Sequence, residues 1–300
     1  MYIHDRTMTS DFKESDQEFI VHPKFSILDR KNPFRLLNNL KLVQYIFVKA
    51  FDCKWVSHLL HLQTLRVRSS YIMISPAIWK MSKLRHVDIN EFPITIWGED
   101  DIVLDNLKTL GMCSMSVADM TRKFWDKFAN LEELRLHINE FGDHISDYSS
   151  SALMNLDIIL PSHLKCLSLS EIFLTDKLVS SIAELRFLET LNLSEIYIAG
   201  EKHWDLSDYM FEELKFLKLH CVFMTQWSCS EDSFPRLECL VVTSCSKLEE
   251  IPVSFMEMYP LQLIKVIDCS DSVCNSAVEI KEELEEYGHL IQVHILKKDK

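Results

Sequence analysis

Apolar side chains in this chain recur as one short phrase: a leucine, two variable residues, an apolar residue, one variable residue and a third apolar residue. Leu188, Leu191 and Leu193, with Glu189, Thr190 and Asn192 between them, give its plainest form. Allowing Val, Ile, Met or Tyr at the later places, the phrase is led in turn by Leu40, Leu62, Leu84, Leu107, Leu131, Leu164, Leu188, Leu214, Leu237, Leu261 and Leu290. The steps between these leaders are 22, 22, 23, 24, 33, 24, 26, 23, 24 and 29 residues. Successive side chains of an extended segment point to opposite faces. The fourth and sixth places of the phrase therefore face the same way, and the first closes in where the strand begins. So short a strand cannot bury its apolar face alone, but stacked on its neighbours it contributes to one parallel sheet and one continuous core.

A second apolar pair, three residues apart, precedes most strands: Val56 and Leu59, Ile78 and Met81, Trp125 and Phe128, Ile182 and Leu185, Phe255 and Met258. That spacing suits a helical or 3₁₀ turn laying one apolar stripe on the back of the sheet. This phrase at a period of about 20 to 29 residues is the signature of a leucine-rich repeat, and the 33-residue step is the one that exceeds it. The predicted fold is α/β, a leucine-rich-repeat solenoid shaped as a horseshoe, with a parallel sheet on the concave face and irregular helical turns on the convex face. Residues 36–300 are expected to hold about 11 repeats, after an approach or capping segment at 1–35 in which Phe19, Ile20 and Val21 suit a capping strand. The Ser and Asp clusters around Gly142 predict a loop between His137 and Pro161 that bulges from the arc. A C-terminal cap is expected over 272–300. There Ser276 and Glu279 fit a capping box, Ile280, Leu284 and Tyr287 share a helical face, and Gly288 stands where a helix would stop. Leu290, Val293 and Ile295 then supply a final strand.

Composition narrows the function. A net charge of -13, with 45 acidic against 32 basic residues, weighs against nucleic acid as a partner. No apolar run reaches the roughly 20 residues of a transmembrane helix, and the first ten residues hold no signal-peptide core, so the expected location is cytoplasmic, or membrane-associated through partners. Nine scattered cysteines without a CxxC pair read as reduced packing residues. No metal site and no catalytic constellation is expected. The chain lacks GxSxG, HExxH and paired-cysteine spacings, and His86, His137 and His220 fall in different, non-adjacent coils.

Several phrases go beyond a generic repeat. Pro76 to Val87, Phe234 to Pro252, Leu261 to Cys269 and Leu290 to Ile295 resemble the repeat region of plant intracellular immune receptors, the nucleotide-binding leucine-rich-repeat proteins with a coiled-coil front end. The likeness is greatest to the late-blight resistance proteins of the nightshade family, in which His22 to Phe25 and Asn32 to Leu37 also look at home near the start of the domain. The phosphate-cradling GxxxxGK[ST] loop of that family does not occur in this chain. No nucleotide cofactor is therefore expected, and the chain resembles the C-terminal recognition part alone.

The resemblance implies a protein-recognition module of a disease-resistance protein. It would sense a pathogen effector, or hold the nucleotide-binding and coiled-coil domains inactive, in defence and the hypersensitive response. The alternative is a stand-alone adaptor such as a ubiquitin-ligase substrate receptor, although residues 1–35 show no recognisable docking box. An extracellular receptor would want a signal peptide and asparagines after the third leucine, which most coils lack. In either favoured case the partner site is expected at the third, fifth and seventh places of the phrases, which face the concave side. The candidates are Arg66, Arg68, His86, Asp88, Glu133, Arg135, His137, Phe216, Lys218 and His220. Arginine and aromatic anchors on a rigid sheet are the usual material of binding hot spots.

Overall fold

The computed structural model describes residues 61–67, 76–93, 104–115, 120–138, 158–198 and 203–297, together with two short strands at 19–21 and 45–48. The first half of the described chain supplies the strands β1 (Phe19–Val21), β2 (Tyr45–Val48), β3 (Thr64–Val67), β4 (His86–Pro93), β5 (Thr109–Met115), β6 (Glu133–Ile138), β7 (Cys166–Ser170) and β8 (Phe173–Leu174). The second half adds β9 (Thr190–Ser194), β10 (Tyr197–Ile198), β11 (His203–Asp205), β12 (Phe216–His220), β13 (Gln226–Ser228), β14 (Cys239–Thr243), β15 (Leu263–Ile267) and β16 (Gln292–Leu296). Except for β8, β10, β11 and β13, these strands lie side by side in chain order in one parallel, twelve-stranded sheet. Equivalent places of the phrase stand opposite one another. Leu134 pairs with Leu167, Leu167 with Leu191, Leu191 with Leu217, Leu217 with Leu240 and Leu240 with Ile264.

Between Leu62 and Leu261 the predicted core is the observed one. From Leu62 to Leu261 every leader is at most 2% exposed, and the fourth-place residues Leu65, Val87, Leu110, Leu134, Leu167, Leu191, Leu217, Leu240 and Ile264 are buried with them. The preceding apolar pairs close the core from the other side, with Ile78, Met81, Trp125, Phe128, Ile182, Leu185, Phe255 and Met258 all buried. They sit in or beside short helical segments: 3₁₀ turns at Pro76–Lys80, Asp126–Phe128 and Val253–Glu257, and the helices α1 (Arg122–Trp125) and α2 (Asp176–Ala183). Thr175 caps α2, its hydroxyl accepting from the Leu178 backbone N–H at 3.3 Å. Ahead of β12 and β14, β11 and β13 pair and stack Trp204 on Trp227, ring centres 5.7 Å apart, and a 3₁₀ turn at Glu231–Ser233 follows β13. The convex side is thus irregular because each coil spends its spare residues differently, while the sheet side stays constant.

A backbone device that the leucine pattern does not announce joins the two sides. At the eighth place Glu171, Glu195, Cys221, Ser244 and Asp268 all take positive φ, between 50° and 55°, although none is glycine. Such a left-handed residue is uncommon outside glycine, and here it turns the chain off the sheet at the same point in five consecutive coils. Each of these residues donates its N–H to the seventh-place carbonyl of the next coil, at 2.8 to 3.1 Å: Glu171 to Ser194, Glu195 to His220, Cys221 to Thr243, Ser244 to Ile267 and Asp268 to Leu296. The ninth-place side chain that follows is buried or partly buried: Ile172, Ile196, Val222, Cys245 and Cys269. In the last two coils a thiol stands there, and its Sγ donates to a carbonyl at the end of its own strand, Thr243 and Ile267, at 3.4 Å each.

The structure corrects the expected phrase in four places. In the first coil β2 sets Ile46 opposite Leu65 and Val48 opposite Val67, so the strand falls three residues later than a phrase led by Leu40 requires. In the coil led by Leu107 the sixth place belongs to Cys113 rather than Met112. Cys113 stands opposite Leu136 while Leu110 stands opposite Leu134, a bulge of one extra residue in β5. The terminal helix α3 (Asp271–Glu286) starts before Ser276. Its N-cap is Ser270, whose hydroxyl accepts from the Val273 N–H, and Ser276 is a buried interior residue. Ile280 and Leu284 face the core as expected, but Tyr287 is the C-cap and 66% exposed, ahead of Gly288 at φ +85°. Finally, Leu290 is 90% exposed, and the adjacent Ile291 is buried in its stead. The expected loop between 137 and 161 and the pair Val56 and Leu59 fall largely or wholly outside the described residues.

Three substitutions check this packing. Leu134→Ala removes a fully buried side chain between two coils and should cost about 2 to 5 kcal/mol in urea unfolding. A loss under about 0.5 kcal/mol would place that strand outside the core. Ser276→Ala deprives the buried Ile251 N–H of its acceptor, 2.9 Å away, and should cost about 1 to 3 kcal/mol. Glu279→Ala should stay within about 0.5 kcal/mol, because the expected capping box is not formed.

Candidate functional site: the concave face of the sheet

The third, fifth and seventh places form three rows across the inner face of the sheet, and the rows change character along the arc. Toward the N-terminal coils the fifth-place row reads Arg66, Asp88, Gly111 and Arg135. Asp88 is 4% exposed and lies between the two arginines. Its Oδ2 is 3.2 Å from Arg66 Nε, a charge contact rather than an aligned hydrogen bond, and its Oδ1 is 4.0 Å from Arg135 Nη1. Gly111 makes that reach across an intervening coil feasible, since a Cβ there would stand 2.8 Å from Asp88 Oδ1. Arg135 also donates to Glu133 Oε1 from Nε at 3.0 Å and lies 2.9 Å from it through Nη2. Burial works against the Arg135 charge, but Glu133 and Asp88 outweigh it and hold its pKa above the ordinary value. Arg66 and Arg135 are therefore engaged within the chain, which differs from the free anchors that the bare sequence suggests.

Around this cluster lie His86 and His137. His86 Nδ1 is 3.0 Å from the Thr109 hydroxyl, and burial is the main cause that lowers its pKa, leaving the ring neutral at pH 7. His137 Nδ1 is 3.6 Å from Glu171 at the rim. Arg68 falls outside the described residues. The middle of the face is small and polar. Asn192 donates to the Ser168 hydroxyl at 3.1 Å, and Ser170 donates to the Leu136 carbonyl. Burial first, and then Glu133, push the Cys166 thiol up to about 12, so this third-place cysteine is not a nucleophile at neutral pH.

The C-terminal coils present a different surface. Phe216, Cys239 and Leu263 stand in register at the third place, Lys218, Val241 and Lys265 at the fifth, and His220, Thr243 and Ile267 at the seventh. All are half-buried except Val241, which is buried. Of these nine, only Phe216, Lys218 and His220 were candidates from the sequence. The other six come from the same phrase arithmetic applied to Leu237 and Leu261, whose outward residues are mostly apolar and so look like core. Just beyond the sheet, the tenth-place rings of Phe173, Tyr197 and Phe223 stack at 5.2 and 4.6 Å and make an aromatic rim.

One further row bounds the face without entering it. At the second place Lys108, Glu132 and Lys165 alternate, the Glu132 carboxylate accepting from Lys108 at 2.6 Å and from Lys165 at 3.0 Å. These hydrogen bonds, that from Lys108 foremost, hold the Glu132 carboxyl below its usual pKa. Lys215 continues the pattern, 3.4 Å from Glu189. Exposed pairs of this kind contribute only about 0 to 1 kcal/mol each, so their role is alignment of neighbouring coils more than stability. Removing the buried carboxylate should matter more. Asp88→Ala is expected to destabilise by about 1 to 3 kcal/mol in urea unfolding, because it strips two half-buried guanidinium groups of a charged partner; a neutral result would mean that the Arg66 and Arg135 charges are satisfied by water.

No protein-family model matches the chain. Among curated proteins it is similar to late blight resistance proteins of Solanum demissum. One such homolog is 30% identical over 256 residues, 76% of this chain and 32% of its own length. A second is 31% identical over 269 residues, 80% of this chain and 22% of its own length, and a third, a late blight resistance protein, is 30% identical over 257 residues, 77% and 20%. The chain thus spans about a fifth to a third of the length of these relatives. Among solved structures, an internalin from Listeria monocytogenes aligns over 87% of this chain and 77% of its own, at 15% identity and a TM-score of 0.41. That likeness is too distant to add to the topology itself. Stacked parallel strands, buried phrase leucines and sequence relatedness converge: the array is a leucine-rich-repeat domain, homologous to a segment of the late blight resistance proteins.

Proposed function

We propose that this chain is a protein-binding module of a plant disease-resistance protein, and that the concave face is its recognition surface. The observation that carries the reading is the outward set on the C-terminal strands. A rigid, hydrogen-bonded sheet there holds Phe216, Leu263 and Ile267 partly in water, where a folded monomer has no use for them. Relatedness to resistance proteins supports defence as the setting, with a pathogen effector or a receptor's own nucleotide-binding and coiled-coil modules as the protein partner. In such a receptor the arc would favour the inactive arrangement until a partner binds the open one better. The equilibrium can shift only by that difference in affinity. The work asked of the chain is binding and release, which requires neither cofactor nor catalytic group, and it is compatible with a cytoplasmic protein. No helix among the described residues is long and apolar enough to cross a membrane.

The test is association in trans. The tagged chain is mixed with the separately expressed coiled-coil and nucleotide-binding modules of a Solanum demissum late blight resistance protein, and the complex is quantified by co-purification and titration. Ser168→Arg with Asn192→Arg fills the middle of the concave face without touching the leucine core, and should weaken association at least about tenfold, roughly 1.4 kcal/mol. Undiminished binding by this variant, or no association between the folded partners, overturns the reading.

A further inference from the structure

The concave face is not electrostatically uniform, and the difference points to the chemistry of what it binds. Toward the N-terminal coils each fifth-place cation has a carboxylate beside it, Asp88 for Arg66 and both Asp88 and Glu133 for Arg135. In the last four coils the fifth-place cations are Lys218 and Lys265, and among the described residues neither has an ion-pair partner. They flank the buried Val241 on adjacent strands, which puts their backbones about 10 Å apart, twice the usual spacing of neighbouring strands. Alongside runs the apolar third-place row of Phe216, Cys239 and Leu263.

Resting on the reading of the concave face as the recognition surface, we infer that Lys218 and Lys265, with Phe216 and Leu263, form a subsite for an acidic, apolar segment of a partner protein: carboxylates on the lysines and an apolar side chain against the third-place row. Three features select this occupant. Two ammonium groups without an ion-pair partner among the described residues, on a chain of net charge -13, are complementary to carboxylate, not to more cation. The apolar row beside them offers nothing to a solvated phosphate backbone. The lysine heads can turn to meet carboxylates in several geometries, whereas bidentate arginines, which suit phosphate and fixed forks, are elsewhere and already engaged.

The probe is a displayed library of random twelve-residue peptides, selected on the intact 300-residue chain, followed by fluorescence anisotropy with the best peptide labelled. The expected winners carry at least two acidic residues around an apolar one. Their binding should fall at least tenfold in Lys218→Glu with Lys265→Glu and in Phe216→Ser with Leu263→Ser, weaken as salt is raised, and stay within twofold in Lys247→Glu, an exposed lysine off the concave face. Circular dichroism unchanged from the parent confirms that each variant is folded. Enrichment of basic or neutral peptides, or no enrichment, overturns the inference. So does binding of a labelled single-stranded RNA through the same two lysines. If selected peptides ignore both C-terminal pairs but are lost in Ser168→Arg with Asn192→Arg, this subsite falls while the concave reading stands; if every variant binds alike, both fall.

Discussion

Burial of the fourth- and sixth-place side chains between neighbouring coils is the constraint from which the rest follows. A strand of five residues buries nothing useful alone, and each coil therefore depends on the one before and the one after. In-register pairing makes that dependence specific. Slipping a strand by one residue would turn Leu167 and Leu169 outward and Ser168 inward. The same register that fills the core thus fixes the concave rows, and a side chain on that face is held as firmly as the leucines behind it.

The arrangement of charge follows the same geometry. Along one border of the sheet the second place alternates lysine and glutamate from Lys108 to Lys215, and Glu132 pairs with Lys108 and Lys165 as Glu189 does with Lys215. On the face itself the N-terminal charges close upon one another around Asp88, helped by the missing side chain of Gly111. This leaves the middle small and hydrogen-bonded and the C-terminal coils apolar with two lysines. A partner approaching such a surface meets little to pull on at one end and both grease and charge at the other.

Much of this is legible in the sequence, and the parts that are not share a cause. The period gives the fold, the core leucines and the alternation of faces, because burial acts on every coil alike. Where a coil departs locally the period misleads. In the first coil β2 falls three residues later than a phrase led by Leu40 requires, in β5 Cys113 rather than Met112 stands opposite Leu136 through a bulge, and Leu290 looks like a leader although Ile291 is the one buried. Ser276 and Glu279 have the right spacing for a capping box, but Ser270 holds the cap and also reaches the Leu248 carbonyl. At the candidate site the residue types and their rows are predictable. Their engagement is not, since the pairing of Arg135 with Asp88 spans two strand spacings and depends on a glycine between them.

The left-handed residue at the eighth place has a broader meaning. Between Leu164 and Leu261 the coils differ in length by up to three residues, with steps of 24, 26, 23 and 24, yet the turn off the sheet comes at the same place in each. Insertions and deletions are thereby confined to the convex return. Such an architecture lets the outer wall drift in length and composition while the inner lettering keeps its lines, so that new binding preferences can be tried one side chain at a time without disturbing their neighbours' positions.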